Sequence, residues 1–473
     1  MEKDRNFSEW FDKVLLEAEV LDDRYTVKGF TVYRGWGYRI VRTVANMLEE
    51  KLEGAGHEPM LFPVVIPEDV FSKEAEHIKG FEAEVFWITR GGDTELPRKL
   101  LLRPTSETAI YPLFKYWIRS HADLPLRMHQ TCTVYRYETK ATRPLFRARE
   151  FLWNEAHTAH ATPEEAEQQV REGKEMYDQV YKRLGLSYLI LKRPDFDKFY
   201  GAVYSIAFDA WNPDGKVNQI GTVHNLGDNF SKAFELTYED ESGNQRFVYT
   251  TCYGFGFGRV LAAIVAQHGD DHGLILPPEI APIQVVVVPI PYKGFEERVK
   301  TYCVEVLKVL QEAGLRVVFD DSEKMRPGEK FYHWEMFGVP VRVEVGQREV
   351  EERTVTLVRR DTLERGKAPF VEAVQRIQGL FEEIFENLRR RNRAVLEETI
   401  EDAVDLEDLR RGLEERKIVR VNWCGEEDCA LRIKEEVGGE IRGYRYDVEE
   451  EPKGPCIVCG GKATKVVYVS RTY

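Results

Sequence analysis

The chain has 473 residues, 43% of them hydrophobic and 31% charged, with a formal net charge of −14. That is apolar material for several cores; it argues against global disorder and predicts two to four domains. No run of about 18 apolar residues occurs, so no membrane span is expected, and the acidic sum leaves a local basic patch for nucleic acid open.

In chain order, MEKDRNFSEWFDKVLLEAEV has no apolar signal core and reads as an amphipathic helix. VYRYETKATRPLFRAREFLW, 134–153, gathers Arg136, Lys140, Arg143, Arg147 and Arg149 around Glu138 and Glu150. Its alternation predicts an antiparallel hairpin, 135–138 and 147–153, joined by an Arg143-Pro144 loop, with charge on one face. Arginine held near aromatics binds phosphate bidentately and stacks on planar bases, so a nucleoside triphosphate fits better than a duplex backbone. Thr162-Pro163 opens a helix that Gly185 ends. LSYLILKRP and VYSIAFDAW read as strands. TCYGFGFGRV, 251–260, runs into the apolar helix VLAAIVAQH; its glycines let a helix N-terminus approach a ligand, and Arg259 adds a cation there. No G-x-x-x-x-G-K-[ST] occurs, so a P-loop is absent.

From 281 the texture changes. APIQVVVVPI is a buried strand, 295–314 a helix, LRVVFDD and VPVRVEVG further strands. Strands alternating with helices predict a mostly parallel α/β domain. The charged run from 370 to 400 reads as a solvated connecting helix. Seven cysteines, an odd number, with no secretion signal point to a reducing cytosol, and hence a cytoplasmic protein, rather than a disulfide framework. Cys424, Cys429, Cys456 and Cys459 form two close pairs, C-x4-C and C-x2-C. Four thiolates so spaced suit a closed tetrahedral, structural Zn²⁺.

These motifs together resemble the class II aminoacyl-tRNA synthetases. RYE with FRAREFLW is similar to the second motif of that class and GFGFGR to the third. YRIVRTVANMLEEKLEGAGHEPMLFPVVIP, 38–67, is similar to the first, a long helix at 38–53 followed by a strand at 60–67 with Pro63 or Pro67 as its proline. LLRPTSETAIYPLF, WNEAHTAH, QIGTVHNLGDNFS, RPGEKFYHWEMFGVPVRVEVGQREVE and the terminal cysteine module resemble prolyl-tRNA synthetases of the archaeal and eukaryotic form.

The resemblance implies a division into an α+β catalytic domain on an antiparallel sheet (1–280), an α/β anticodon-binding domain (281–372), and a linker helix with a small zinc-binding α+β domain (373–473). It implies a homodimer built on the first motif, with ATP, Mg²⁺, L-proline and tRNA(Pro) as partners. Arg136 and Arg259 are the expected catalytic cations. Glu138, Arg147, Phe151, Gln219 and Thr222 join them around ATP, with Phe151 stacked on adenine. Thr105 and Glu107 offer a hydroxyl and a carboxylate to the two N–H donors of the prolinium. Arg136 takes the amino-acid carboxylate; Trp153, Glu155, His157, His224 and Phe199 shape the ring slot. Lys330, Glu335 and Arg342 are expected at the anticodon, whose unpaired guanines offer both acceptors and donors. Tyr473 is expected to pack back on the body, near the active site. Cysteine and alanine are expected to be activated as well. Two other readings stay open: a non-catalytic tRNA-binding regulator of synthetase type, and a threonyl or glycyl enzyme of the same subclass.

Overall fold

The computed structural model describes residues 2–72 and 85–473. One sheet runs through most of it. Its strands lie in the order Ile400–Asp402, Ile418–Trp423, Lys465–Thr472, Glu440–Arg445, Leu189–Lys192, Tyr204–Trp211, Lys216–Gly227, Tyr249–Gly256, Glu150–His160, Leu126–Tyr135 and Glu58–Pro59. Neighbours along this order pair antiparallel except at the two edges.

Period two sets the two faces of each central strand. In Tyr204–Trp211, Ile206, Phe208 and Ala210 join the large apolar core. Ser205 and Asp209 alternate with them and turn to the other, polar side. On the apolar face lie the helices Gly35–Gly54, Pro163–Arg183 and Phe257–His268. Tyr181 stacks on Phe255 at 4.9 Å, and Tyr177 meets Phe255 edge-on at 5.3 Å. The middle helix starts where expected: Thr162 accepts the Glu165 amide and Glu165 reciprocates. Asp270 bonds Arg360 twice, at 2.8 and 2.6 Å, and Trp36 donates to the Phe337 carbonyl at 3.1 Å, so the domain after 281 is docked on the first.

Four expectations need correction. The hairpin strands are Leu126–Tyr135 and Glu150–His160, meeting at the Tyr135–Glu150 pair, so Arg136, Glu138 and Arg147 lie in the connection rather than on strands. Their carbonyls and amides close locally: Arg136 donates to the Arg149 carbonyl at 2.9 Å and Arg143 to that of Arg147 at 2.8 Å. The strand expected at 60–67 is split into Glu58–Pro59 and Val65–Pro67, in different sheets, because Pro59, Pro63 and Pro67 supply no amide to a continuous ladder. The domain after 281 has a mixed sheet: Val285–Pro289 is parallel to both Val317–Phe319 and Val341–Val345, but two antiparallel strands, Thr354–Arg359 and Arg365–Pro369, follow. The helix Ala373–Thr399 is not simply solvated: Ile377, Leu380, Ile384 and Leu388 bury one stripe against that sheet's core. Among the described residues, no helix is long and apolar enough to cross a membrane.

The candidate active site

The polar face of the sheet carries one continuous cavity of about 280 Å³. Every residue expected at ATP or proline lines it: Arg136, Glu138, Arg147, Phe151, Gln219 and Arg259 towards one end, Thr105, Glu107, Trp153, Glu155, His157, Phe199 and His224 towards the other, with Thr222 bonded to His224.

At the first end three guanidiniums converge. Arg259 stands in the first turn of its helix and is fixed by the Phe146 carbonyl at 3.1 Å and the Gln219 carbonyl at 3.3 Å. Burial, then repulsion from Arg136 and Arg147, brings its pKa down to about 10. A cation that its neighbours penalise is a site prepared for a polyanion. Arg136 lies 5.2 Å from the Phe151 ring and 5.9 Å from that of Trp153, with Nε donating to the Pro104 carbonyl at 3.2 Å. Arg147 is paired with Glu138 at 2.7 Å. Gly254 lets its strand lie against Trp153: a Cβ there would come within 3.0 Å of the indole.

The second end is a buried acid-base array. His157 Nε2 lies 2.9 Å from Glu155, and both are nearly inaccessible, at 1–2%. Burial opposes a charged imidazole, but the Glu155 bond and the charges of Glu155 and Glu107 outweigh it and raise the His157 pKa. Burial likewise opposes the Glu155 carboxylate; His157, Ser106 and Gln130 outweigh it and lower its pKa. Thr105 donates to Glu107, at the start of the helix Glu107–Trp117. With Glu155 answered by His157, the Glu107 carboxylate and the Thr105 hydroxyl are placed to accept from a small cation. His224 bonds Ser205 at 2.7 Å and Thr222 at 3.0 Å, and its ring lies 4.8 Å from that of Phe199. Burial, then Arg193 and His157, push its pKa to about 3, so it is neutral near neutral pH. Burial, then Glu107 and Glu155, raise the Cys252 thiol far above its ordinary range, which leaves it unreactive.

Sequence reasoning passed over Arg193 and Ser205, which also line the cavity. The available signal was a basic residue closing the apolar run YLILKRP. Tyr473 does pack near the site: its ring stacks on Phe146 at 3.9 Å, its hydroxyl donates to Asp214 at 2.7 Å, and its main-chain oxygen accepts from Arg147.

Beyond the cavity, the ligand atoms of Cys424, Cys429, Cys456 and Cys459 lie within 4.8 Å of one another, the first two sulfurs 3.6 Å apart. Tetrahedral Zn–S bonds of about 2.3 Å require sulfurs roughly that close. Burial opposes the Cys456 thiolate, but the amides of Cys459, Val458 and Cys424 outweigh it and bring its pKa to about 7. Four thiols converging at that spacing fit a structural Zn²⁺.

The anticodon candidates are found in a closed network. Glu335 and Glu344 flank Arg342 at 2.9 and 3.0 Å, and the guanidinium lies 4.0 Å over Phe331. Lys330, 3% exposed, donates to the Asp320 carbonyl at 2.7 Å and sits 3.2 Å from its carboxylate. A base contact by Lys330 requires that pair to open. On the same helix, Tyr332 is 70% exposed.

An antiparallel sheet carrying three arginines over one face, beside a helix whose first turn bears one of them, is the core of a class II tRNA synthetase. Residues 86–268 match the family described as tRNA synthetase class II core domain (G, H, P, S and T), residues 284–380 the anticodon binding domain, and residues 406–473 the prolyl-tRNA synthetase C-terminal family. The chain is 50% identical to the proline–tRNA ligase of Methanopyrus kandleri over 99% of its own length and 96% of the relative's. It is 50% identical to that of Pyrococcus horikoshii over 99% and 98%. Its fold is similar to Giardia lamblia prolyl-tRNA synthetase in complex with prolyl-adenylate, with a TM-score of 0.96, 36% identity and coverage of 100% and 99%. It is also similar to the Cryptosporidium parvum enzyme complexed with halofuginone and AMPPNP, with a TM-score of 0.94, 33% identity and coverage of 100% and 96%. The chain belongs to the prolyl-tRNA synthetase family.

Proposed function

We propose that the chain activates L-proline with ATP and transfers the prolyl group to the 3′ end of tRNA(Pro). The observation that carries this reading is the joining of the Arg136–Arg147–Arg259 cluster to the Thr105–Glu107 pair in one cavity. A proline carboxylate oxygen attacks the α-phosphorus of ATP, the bond to the bridging oxygen breaks, and pyrophosphate leaves. Charge accumulates on phosphate oxygens, where fixed guanidiniums act without reorganising. Arg136 meets the α-phosphate and the substrate carboxylate; Arg147 and Arg259 meet the outer phosphates; Phe151 stacks on adenine; Gln219 and Thr222 line the nucleoside. Glu138 and Glu150, which flank the arginines in sequence, also line the cavity and would be the carboxylates to hold Mg²⁺, which would neutralise phosphate charge when bound. Glu107 and Thr105 accept from the prolinium, and Trp153, His157, Phe199 and His224 close on the ring. A terminal hydroxyl of the tRNA then attacks the mixed anhydride at its carbonyl carbon and AMP leaves. No covalent enzyme intermediate is needed.

The division 1–280, 281–372 and 373–473 assigns these steps to the first domain, anticodon reading to the second and a Zn²⁺-held fold to the third. A homodimer through 38–67 fits the exposure of Tyr38 and Leu61 there, and the cytoplasm fits the unpaired thiols. Pyrophosphate exchange with each of the twenty amino acids is the test: proline should dominate, and equal or absent exchange with proline would sink the reading.

A further inference from the structure

The strand Glu440–Arg445, from the cysteine-bearing domain, pairs antiparallel with Leu189–Lys192 of the catalytic sheet, Tyr444 opposite Lys192. The approach is close enough to demand a glycine. Gly443 has φ +128°, and a Cβ there would stand 2.2 Å from the Lys192 carbonyl oxygen. This seats the preceding residue, Arg442, over the catalytic sheet. Its Nε donates to Asp209 at 2.9 Å.

Asp209 is fully buried and holds a second guanidinium. Arg193 donates to both its oxygens, at 3.0 and 2.7 Å. The nitrogen making the shorter bond also donates to Gln219 Oε1 at 2.7 Å, and Arg193 donates once more to the Arg442 carbonyl. Asp209 and Gln219 are themselves paired across adjacent strands, at a bulge. Burial alone would raise the Asp209 carboxyl; Arg193 and Arg442 outweigh it and hold it at about 2. One carboxylate thus orients two cations, and one of those cations orients the amide that lines the nucleotide end of the cavity.

We propose that Arg442 is a positioning residue for adenylate formation: from the C-terminal domain, through Asp209 and Arg193, it sets the side chain of Gln219 against ATP. The proposal rests on the reading of Gln219 as a nucleotide contact. When Arg442 is absent, the Asp209 oxygen that it shares with Arg193 loses one of its two donors, and the carboxylate is held by Arg193 alone. The Arg193–Asp209 pair then shifts as a unit, and the bond to Gln219 lengthens. The C-terminal domain therefore acts on ATP affinity without touching ATP.

The experiment is pyrophosphate exchange on the full, zinc-loaded chain, with KM for ATP, KM for proline and kcat measured separately in R442Q, Q219A and the double variant. Losing the hold of one hydrogen bond should raise KM for ATP about 3–10-fold in R442Q, with KM for proline unchanged and zinc content intact. In the Q219A background the same substitution should change nothing further, because contacting groups couple and independent ones add. R442K, which keeps the charge but not the planar fork, should fall between; it carries the test if R442Q loses its zinc. An unaltered KM for ATP in R442Q or R442K, beside a raised one in Q219A, would overturn the relay alone. So would full additivity in the double variant. An unaltered KM for ATP in Q219A would instead remove the reading of Gln219, and the relay with it.

Discussion

His157 Nε2 and a Glu155 carboxylate oxygen lie 2.9 Å apart inside the cavity, both residues almost completely buried, with Gln130 holding the same carboxylate at 2.8 Å. The His157 pKa is raised and that of Glu155 lowered. The raised histidine contributes stability that is full below its unfolded value of about 6.5 and is lost as pH rises through the folded one. The lowered glutamate contributes stability present above about 4.5 and lost as pH falls through its folded value. His157→Gln should cost about 3–5 kcal/mol, since it strands a buried carboxylate. It should also remove the alkaline fall in stability due to this pair. Urea unfolding at several pH values checks both; an unchanged pH profile would mean that His157 is neutral in the fold.

Arg136→Ala removes a charge-assisted contact to a phosphate under attack. Amino-acid activation should fall roughly 10²–10³-fold. Binding of tRNA, assigned to 281–372, should survive. Activation at the parental rate would show that the arginine cluster is not the adenylate site.

Removing any one of Cys424, Cys429, Cys456 or Cys459 should release one zinc per chain, since the remaining thiolates cannot close a tetrahedron. The strand Lys465–Thr472 pairs with both Ile418–Trp423 and Glu440–Arg445, so loosening should spread along it towards Tyr473. Hydrogen exchange would report this as lost protection in 465–472. Protein purified without chelator that contains no zinc would count against the metal.

The cavity was legible because its signals are local. Arg136, Arg147 and Arg259 stand in short motifs whose residue types and order carry the chemistry, and the helix 163–183 announces itself by its cap. What was hidden depends on pairing between distant segments. Nothing in EIRGYR says that Gly443 meets Lys192, so Arg193, Asp209 and Arg442 could not be joined from sequence. Alternation around 135–138 suggested strands, but the ladder ends at Tyr135–Glu150 and the connection closes a turn of its own through Arg143 and Arg147, with Leu145 at φ +67°. At 326–351 charged residues beside aromatics suggested base contacts; the fold engages Glu335, Arg342 and Glu344 with one another.

Proline anticodons share two adjacent guanines, and swapping either in a transcript should weaken charging. Arg342→Met should do so too, but with a loss of stability, because it takes from the buried Glu335 and Glu344 the guanidinium that bonds both. Charging assays paired with thermal unfolding separate the two effects. Equal charging of guanine variants would refute the assignment of 281–372 as the anticodon reader.

Sixty-one residues separate His157 from Gln219, and they are consumed by the helix Pro163–Arg183 and the strands Leu189–Lys192 and Tyr204–Trp211, all packed into the catalytic core. No hydrolytic domain fits between them. With no inserted domain in this interval, discrimination is expected from the pocket, and a cavity rejects a residue smaller by a methylene with only about 1–3 kcal/mol, or roughly 10–200-fold. Cysteine is close to proline in volume, and alanine enters freely. Alanyl- and cysteinyl-adenylate should therefore form at measurable rates, with any clearance of mischarged tRNA left to a separate protein. Incubation with alanine, ATP and proline tRNA is the check: slow accumulation of alanyl-tRNA is expected. Rapid tRNA-stimulated AMP release without accumulation would reveal a hydrolytic site within this chain.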